Sequence, residues 1–145
     1  MATKVSAVLE QKGHEVVTVA PHQSVAVVAR ILTEKRIGAA PVLDGDGRLA
    51  GIISERDIIR GIAEHGDAVL AFAVERLMTR EVKTRSPDDS IVEIMEVMTL
   101  QRIRHLPILH NGALHGIISI GDVVKQRLGE AQSELEALRS YISSP

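Results

Sequence analysis

The sequence predicts an α/β (α+β) fold: two β-α-β-β-α units packed sheet to sheet about a pseudo-twofold axis, followed by a C-terminal helix. Three observations carry this. The string Gly51-Ile52-Ile53-Ser54-Glu55-Arg56-Asp57 returns as Gly116-Ile117-Ile118-Ser119-Ile120-Gly121-Asp122. The likeness extends outward at a constant offset, since Thr18 and Thr84, Pro21 and Pro87, Ser24 and Ser90, Arg36 and Arg102, and Pro41 and Pro107 are each 66 residues apart. Beyond the hairpin the offset is 65, as between Asp57 and Asp122, because Asn111-Gly112 makes a tighter turn than residues 44–47. Finally, each copy is about fifty residues long, too small to bury its apolar strands alone, so two copies must pack together.

Val5, Val8 and Leu9 form one apolar stripe of a short N-terminal helix, with Gly13 where a glycine commonly stops one. Residues 15–19 read as a strand ended by Pro21. Ser24 is placed to cap a helix over Val25–Lys35, whose Val27, Val28, Ile31 and Leu32 fall at helical spacing. Residues 37–43 are a fully apolar strand, residues 44–47 a turn, and residues 49–53 the returning strand of a hairpin. Residues 57–65 close the unit as a helix, with Gly66 as its stop. A helix-like linker over 69–78 leads into 82–87, where the order begins again. The units are therefore 5–66 and 70–128, with a helical tail over 129–145. In the tail, Leu128, Leu135, Leu138 and Ile142 fall near one side of a helix, and that face needs cover from its own module or from a second chain.

Composition removes several functions. A formal net charge of −2 provides no basic field for a polyanion, and one Phe, one Tyr and no Trp leave no stacking platform, so nucleic acid is not the expected partner. The absence of cysteine excludes disulfides, thiolate nucleophiles and Cys-type metal sites. The opening Met1-Ala2-Thr3-Lys4 lacks a signal-peptide layout and no apolar run approaches the roughly 20 residues of a membrane helix, so a cytoplasmic protein without membrane association is expected. No Gly-x-Ser-x-Gly, P-loop or His-Glu-x-x-His pattern occurs, and the duplicated aspartates fall in different clefts, so no catalytic set assembles and no catalytic cofactor is expected. His105, His110 and His115 are spaced by five, but a metal would need further ligands, so none is assigned.

The duplicated motif is a strand-to-helix corner. Such a corner offers free helix N–H groups, a hydroxyl and a carboxylate at one point, which suits a ligand carrying phosphate and ribose. Ser54 with Asp57 and Ser119 with Asp122 also have the spacing of a capping box, so a purely structural role stands beside the ligand role. A guanidinium at a helix start, such as Arg56, can fork onto a phosphate.

Read in order, these residues resemble the CBS domain family, and the pair resembles a stand-alone CBS pair, or Bateman module. The resemblance runs from about Val5 to Lys125 and rests on Met78-Thr79 before a strand, Ala20-Pro21 and Ser86-Pro87 before a helix, Arg36-Ile37 and Arg102-Ile103 ahead of Pro41-Val42-Leu43 and Pro107-Ile108-Leu109, and the two Gly-Ile-Ile-Ser-x-x-Asp corners. It implies a non-enzymatic sensor of an adenosine ligand, AMP first and then NAD(H) or ATP, with each aspartate taking the ribose hydroxyls. It also implies a homodimer of pairs, in which Ile58, Ile62 and Val124 lie on the closing helices, and a regulated partner protein that the sequence does not name. By matched position, Thr79 and Val82 complete the site of Ser54 and Asp57 around the adenine, and Arg104-His105 meet phosphate. His14, Val16, Ala39 and Ile117 complete the weaker site of Ser119 and Asp122, where Gly13 stands in place of threonine. Gly38 and Ala39, opposite Arg104-His105, carry no charge and leave room. With so few aromatics the base must be gripped by aliphatic side chains such as Ile52 and Ile117. The rival function is a structural dimerisation module with no physiological nucleotide.

Overall fold

The computed structural model describes residues 3–143, so the readings that fall on Met1, Ala2, Ser144 and Pro145 lie outside the described residues. Each half is built on an antiparallel hairpin. In the first, β1 (Ala39–Leu43) pairs with β2 (Leu49–Ser54) from Ala39 opposite Ser54 to Leu43 opposite Leu49. In the second, β3 (His105–His110) pairs with β4 (Ala113–Ser119) from His105 opposite Ser119 to His110 opposite Ala113. The register slips at the same place in both, between Val42 and Leu43 and between Ile108 and Leu109. The duplication read from residue offsets is thus a duplication of backbone geometry.

The helices follow their caps. The helix α1 (Val5–Lys12) ends at Gly13, whose φ of 99° is open to glycine and strained for other residues. Ser24 accepts from the Val27 N–H at the start of α2 (Val25–Lys35), and Ser90 does the same for Glu93 in α4 (Ile91–Gln101). The helix α3 (Glu55–His65) begins two residues before the expected start at 57, because Ser54 is its N-cap and Asp57 its third residue. The linker expected as helix is two short 3₁₀ turns, Gly66–Ala71 and Val74–Arg76, pinned by Phe72 between His65 and the Arg76 guanidinium, which lies 3.7 Å from the ring centre. The last helix, α5 (Ile120–Ser143), runs without a break through residue 128.

The strands expected over 15–19 and 82–87 shrink to one residue each. Val19 donates to the Pro41 carbonyl and accepts from the Leu43 N–H, and Arg85 repeats this with Pro107 and Leu109. The next rung of each parallel ladder would need the N–H of Pro41 or Pro107 on one side and of Pro21 or Pro87 on the other. Proline has none, so both ladders stop.

Two apolar clusters fill the halves, and each takes in a segment from outside its own unit. Val74 and Met78 of the linker join Val19, Val25, Val28, Val42 and Ile53 in the first. Val5, Val8 and Leu9 of α1 join Ile91, Ile94, Leu106, Ile108 and Ile118 in the second. Backbone bonds lock both arrangements: Val25 N–H to the Phe72 carbonyl on one side, Val5 N–H to Asp89 and Ile91 N–H to Thr3 on the other. The first residues of the chain therefore serve the second half as the linker serves the first. On α3, Ile58 turns into the core, 7 % exposed, and does not face a partner as expected; Ile59 and Ile62 are the exposed apolar residues of that helix. Among the described residues no helix is long and apolar enough to cross a membrane.

Candidate functional site

The corner of Ser54 and Asp57 forms by local chemistry. The Ser54 hydroxyl accepts from the Asp57 N–H at 3.1 Å, and Asp57 Oδ2 accepts from the Ser54 N–H at 2.9 Å, a complete capping box. Asp57 is 6 % exposed, the one charged residue buried among those described. Its second oxygen, Oδ1, lies 3.5 Å from the guanidinium of Arg60 one turn along α3. A carboxylate has about four acceptor directions, so one cap bond and a loose ion pair leave capacity for a diol. Capping and ligand binding are compatible in this residue.

A cavity of about 250 Å³, just below the usual range for small-molecule clefts (roughly 300 Å³ upward), opens at this corner and is lined by both halves. Ile52, Ser54, Arg56, Asp57, Thr79, Val82, Arg104 and His105, all eight expected there, line it. Ala39, expected in the other site, lines this one, because β1 places it opposite Ser54. Thr79 sits where it does because its backbone N–H and carbonyl both bond Ile52, at 2.9 and 3.0 Å; the N–H is thereby committed, the carbonyl keeps a second lone pair, and the residue lines the cavity. Gly51 makes the close pass possible, since a Cβ there would stand 2.7 Å from the Thr79 carbonyl. Five cations, Arg56, Arg60, Lys83, Arg102 and Arg104, face three carboxylates, Glu55, Asp57 and Glu81. The guanidinium groups of Arg56 and Arg104 make no hydrogen bond or ion pair among the described residues, so both can turn to an anion. Arg60, Glu81, Lys83 and Arg102 were not singled out from sequence. Arg60 was findable as the i+3 neighbour of Asp57; the others are exposed charges that only the tertiary packing brings to the cavity.

His105 lies across the boundary between halves. Its ring packs over Gly38, where an added Cβ would meet Cε1 at 3.1 Å and Nε2 at 3.2 Å, so the small residue opposite does leave room. Burial of the ring holds His105 below the usual imidazole range; Glu55 opposes this and Lys12 and Arg104 reinforce it.

The second corner is built alike and occupied differently. Ser119 and Asp122 exchange the same bonds, with Asp122 Oδ2 accepting from the Ser119 N–H at 2.8 Å. Here Lys12, at the end of α1, reaches in: its Nζ lies 2.6 Å from Asp122 Oδ2 and donates to the Ile117 carbonyl at 2.9 Å. Lys12 precedes Met78 by the repeat offset of 66, but the side chain packed toward Gly116 as Met78 packs toward Gly51 is Leu9, and Lys12 reaches the carboxylate. Burial works to raise the Asp122 carboxyl, but the Lys12 and Ser119 hydrogen bonds outweigh it and hold it below the usual carboxylate range. His14 Nδ1 is 3.1 Å from the His115 carbonyl with the two rings edge to face, and Val16 is half-buried. His110 and His115 do meet across the hairpin, with ring centres 5.4 Å apart, yet no group of three or more potential ligands among the described residues could hold a metal.

The duplicated fold is matched in known proteins. The model of the CBS domain matches residues 9–64 and again 74–129. The chain belongs to the CBS domain family. Its two matched segments make a CBS pair, a regulatory module. It is 36 % identical to an uncharacterised 17.7 kDa protein of Acidianus ambivalens over 88 % of this chain and 75 % of that one. The crystal structure of the CBS-domain protein ATU1752 from Agrobacterium tumefaciens is similar at TM-score 0.85 and 44 % identity, over 86 % of this chain and 99 % of that one. Two CBS structures hold ligands: MJ0100 with 5′-methylthioadenosine and S-adenosylmethionine (TM-score 0.80, 25 % identity, over 90 % of this chain and 99 % of that one) and PAE2072 from Pyrobaculum aerophilum with AMP (TM-score 0.73, 27 % identity, over 82 % and 88 %).

Proposed function

We propose that this CBS pair is an adenine-nucleotide sensor with one working site, the cavity of Asp57, and that AMP is the preferred ligand ahead of NAD(H) or ATP. The carrying observation is the convergence of a buried carboxylate, Asp57, with two uncommitted guanidinium groups, Arg56 and Arg104, in one cavity spanned by both halves. Asp57 accepts the ribose hydroxyls, Ile52 and Val82 hold the base by shape, and the arginines meet phosphate. The AMP and S-adenosylmethionine complexes of the similar structures support the ligand class. The weaker site of His14, Val16, Ile117, Ser119 and Asp122 stays closed while Lys12 holds its carboxylate. Because the cavity is lined by both halves, filling it changes how they are held together, and a homodimer presenting Ile59, Ile62 and Val124 to its partner copy passes that change to a regulated protein.

Asp57→Ala removes charge-assisted hydrogen bonds worth about 1.5–3 kcal/mol each, so calorimetric titration with AMP should show affinity falling by roughly tenfold or more. Asp122→Ala should change it less. Capping alone predicts another pattern, in which both variants lose about 0.5–2 kcal/mol of stability and no adenine nucleotide raises the melting temperature of the parent above a GMP control. Equal affinity of Asp57→Ala and the parent would end the assignment.

A further inference from the structure

The helix α5 outruns the module it closes. Its 24 residues span about 36 Å at 1.5 Å per residue. Glu130 accepts from the Thr3 hydroxyl at 2.6 Å, and residues 131–143 are exposed on every face. Thirteen residues are about the length at which an isolated helix is marginal in water, so this projecting part needs a partner. Its apolar residues state the geometry of that partner. Val124, Leu128, Ala131, Leu135, Leu138 and Ile142, all exposed, alternate in steps of four and three. That is a heptad seam, with Leu128, Leu135 and Ile142 at one core position and Val124, Ala131 and Leu138 at the other.

We propose that α5 pairs with α5 of a second copy as a parallel, in-register coiled coil over residues 124–142. Charge decides the direction. In a parallel pair, the residue flanking the seam at 134 faces the partner's residue at 139, so Glu134 meets Arg139 of the other copy, twice by symmetry. In an antiparallel pair over the projecting residues, Glu134 would face Tyr141 and Arg139 would face Gln132, with no opposite charges matched. Antiparallel pairing nearer residue 130 would drive the far end of each helix into the other copy's module. The seam is continuous with Val124, so the coil extends any contact the modules themselves make and sets both modules side by side, pointing the same way. This inference does not depend on a nucleotide.

The test uses the whole chain at tens of micromolar. Sedimentation equilibrium should show a dimer, and Leu138→Glu should raise its dissociation constant by at least tenfold while leaving the melting of the module unchanged, since Leu138 is exposed on its own chain. Glu134→Arg should weaken the dimer, and Glu134→Arg with Arg139→Glu should restore it. Because the chain has no cysteine, Leu135→Cys gives a clean probe that should form a disulfide-linked dimer under mild oxidation. A monomeric parent, or a dimer unmoved by Leu138→Glu, overturns the coiled coil. A dimer in which Leu135→Cys does not cross-link, or in which the double charge reversal fails to restore association, overturns the parallel register.

Discussion

Lys12 and Met78 are 66 residues apart, the offset of the repeat, and Lys12 gives the second corner a cation bonded to its carboxylate where the first half has a thioether residue at that offset. The ammonium occupies the acceptor that a ribose would need and brings a positive charge to a half-buried carboxylate. Lys12→Met should therefore open the second corner, raising the stoichiometry of AMP in calorimetry from one toward two per chain. It should also move the acid limb of stability. Asp122 is held below its ordinary value in the folded protein, so its contribution is present above the unfolded carboxylate value, about 3.9, and is lost as pH falls through the lower folded value. In Lys12→Met burial acts without that counterweight, and acid unfolding should begin at higher pH. A variant with unchanged stoichiometry and an unchanged acid limb would show that Lys12 does not hold the corner. Lys12 carried no motif and was not expected in the site, since nothing local links residue 12 to residue 122.

At the level of elements, local rules account for most of the chain. Ser24, Ser90 and Ser54 cap where a serine before an apolar run should, and Gly13 and Gly66 stop helices that their apolar spacing defines. The leading strands were misread because their alternation was judged without the neighbouring strand, whose Pro41 and Pro107 remove the donors a longer ladder needs. The seat of α1 was also invisible locally: its stripe announces burial but not against what. Leu9 is fully buried in the second half's core, with its side chain against Gly116, where a Cβ would stand 2.7 Å away. Leu9→Ala should accordingly cost about 2–5 kcal/mol in urea unfolding. A loss below about 0.5 kcal/mol would show that α1 is not seated there in solution.

The whole molecule is two halves that each borrow a segment from outside the repeat unit. The first core includes Val74 and Met78, and the second includes Val5, Val8 and Leu9. A fragment of residues 1–66 would carry α1 without its partner and a first half without its linker, so it should show no cooperative urea transition by circular dichroism. A fragment of residues 14–80, which keeps the linker, should retain one in the cold. A cooperative transition in the shorter fragment would mean that the unit read along the sequence is also the folding unit. The same interlock bears on function, because a ligand between Asp57 and Arg104 bridges halves whose cores are already completed by exchanged segments.

Periodicity, caps and a constant residue offset were enough to establish the duplicated β-α-β-β-α order and the two hairpins, because each follows from neighbours within a few positions or from the repeat itself, and the resemblance to the CBS family added eight of the residues that line the first cavity. Folding alone decided the rest. It brought Lys12 onto the carboxylate of the second corner, gave each half a segment from beyond its own boundary, drew Glu81, Lys83 and Arg102 to the cavity, and left the seam of α5 bare. These features depend on contacts between residues far apart in the chain. The sequence already makes the corners unequal at Gly13 and Gly121, and the contact from Nζ of residue 12 to a carboxylate 110 positions later adds a difference that only folding reveals.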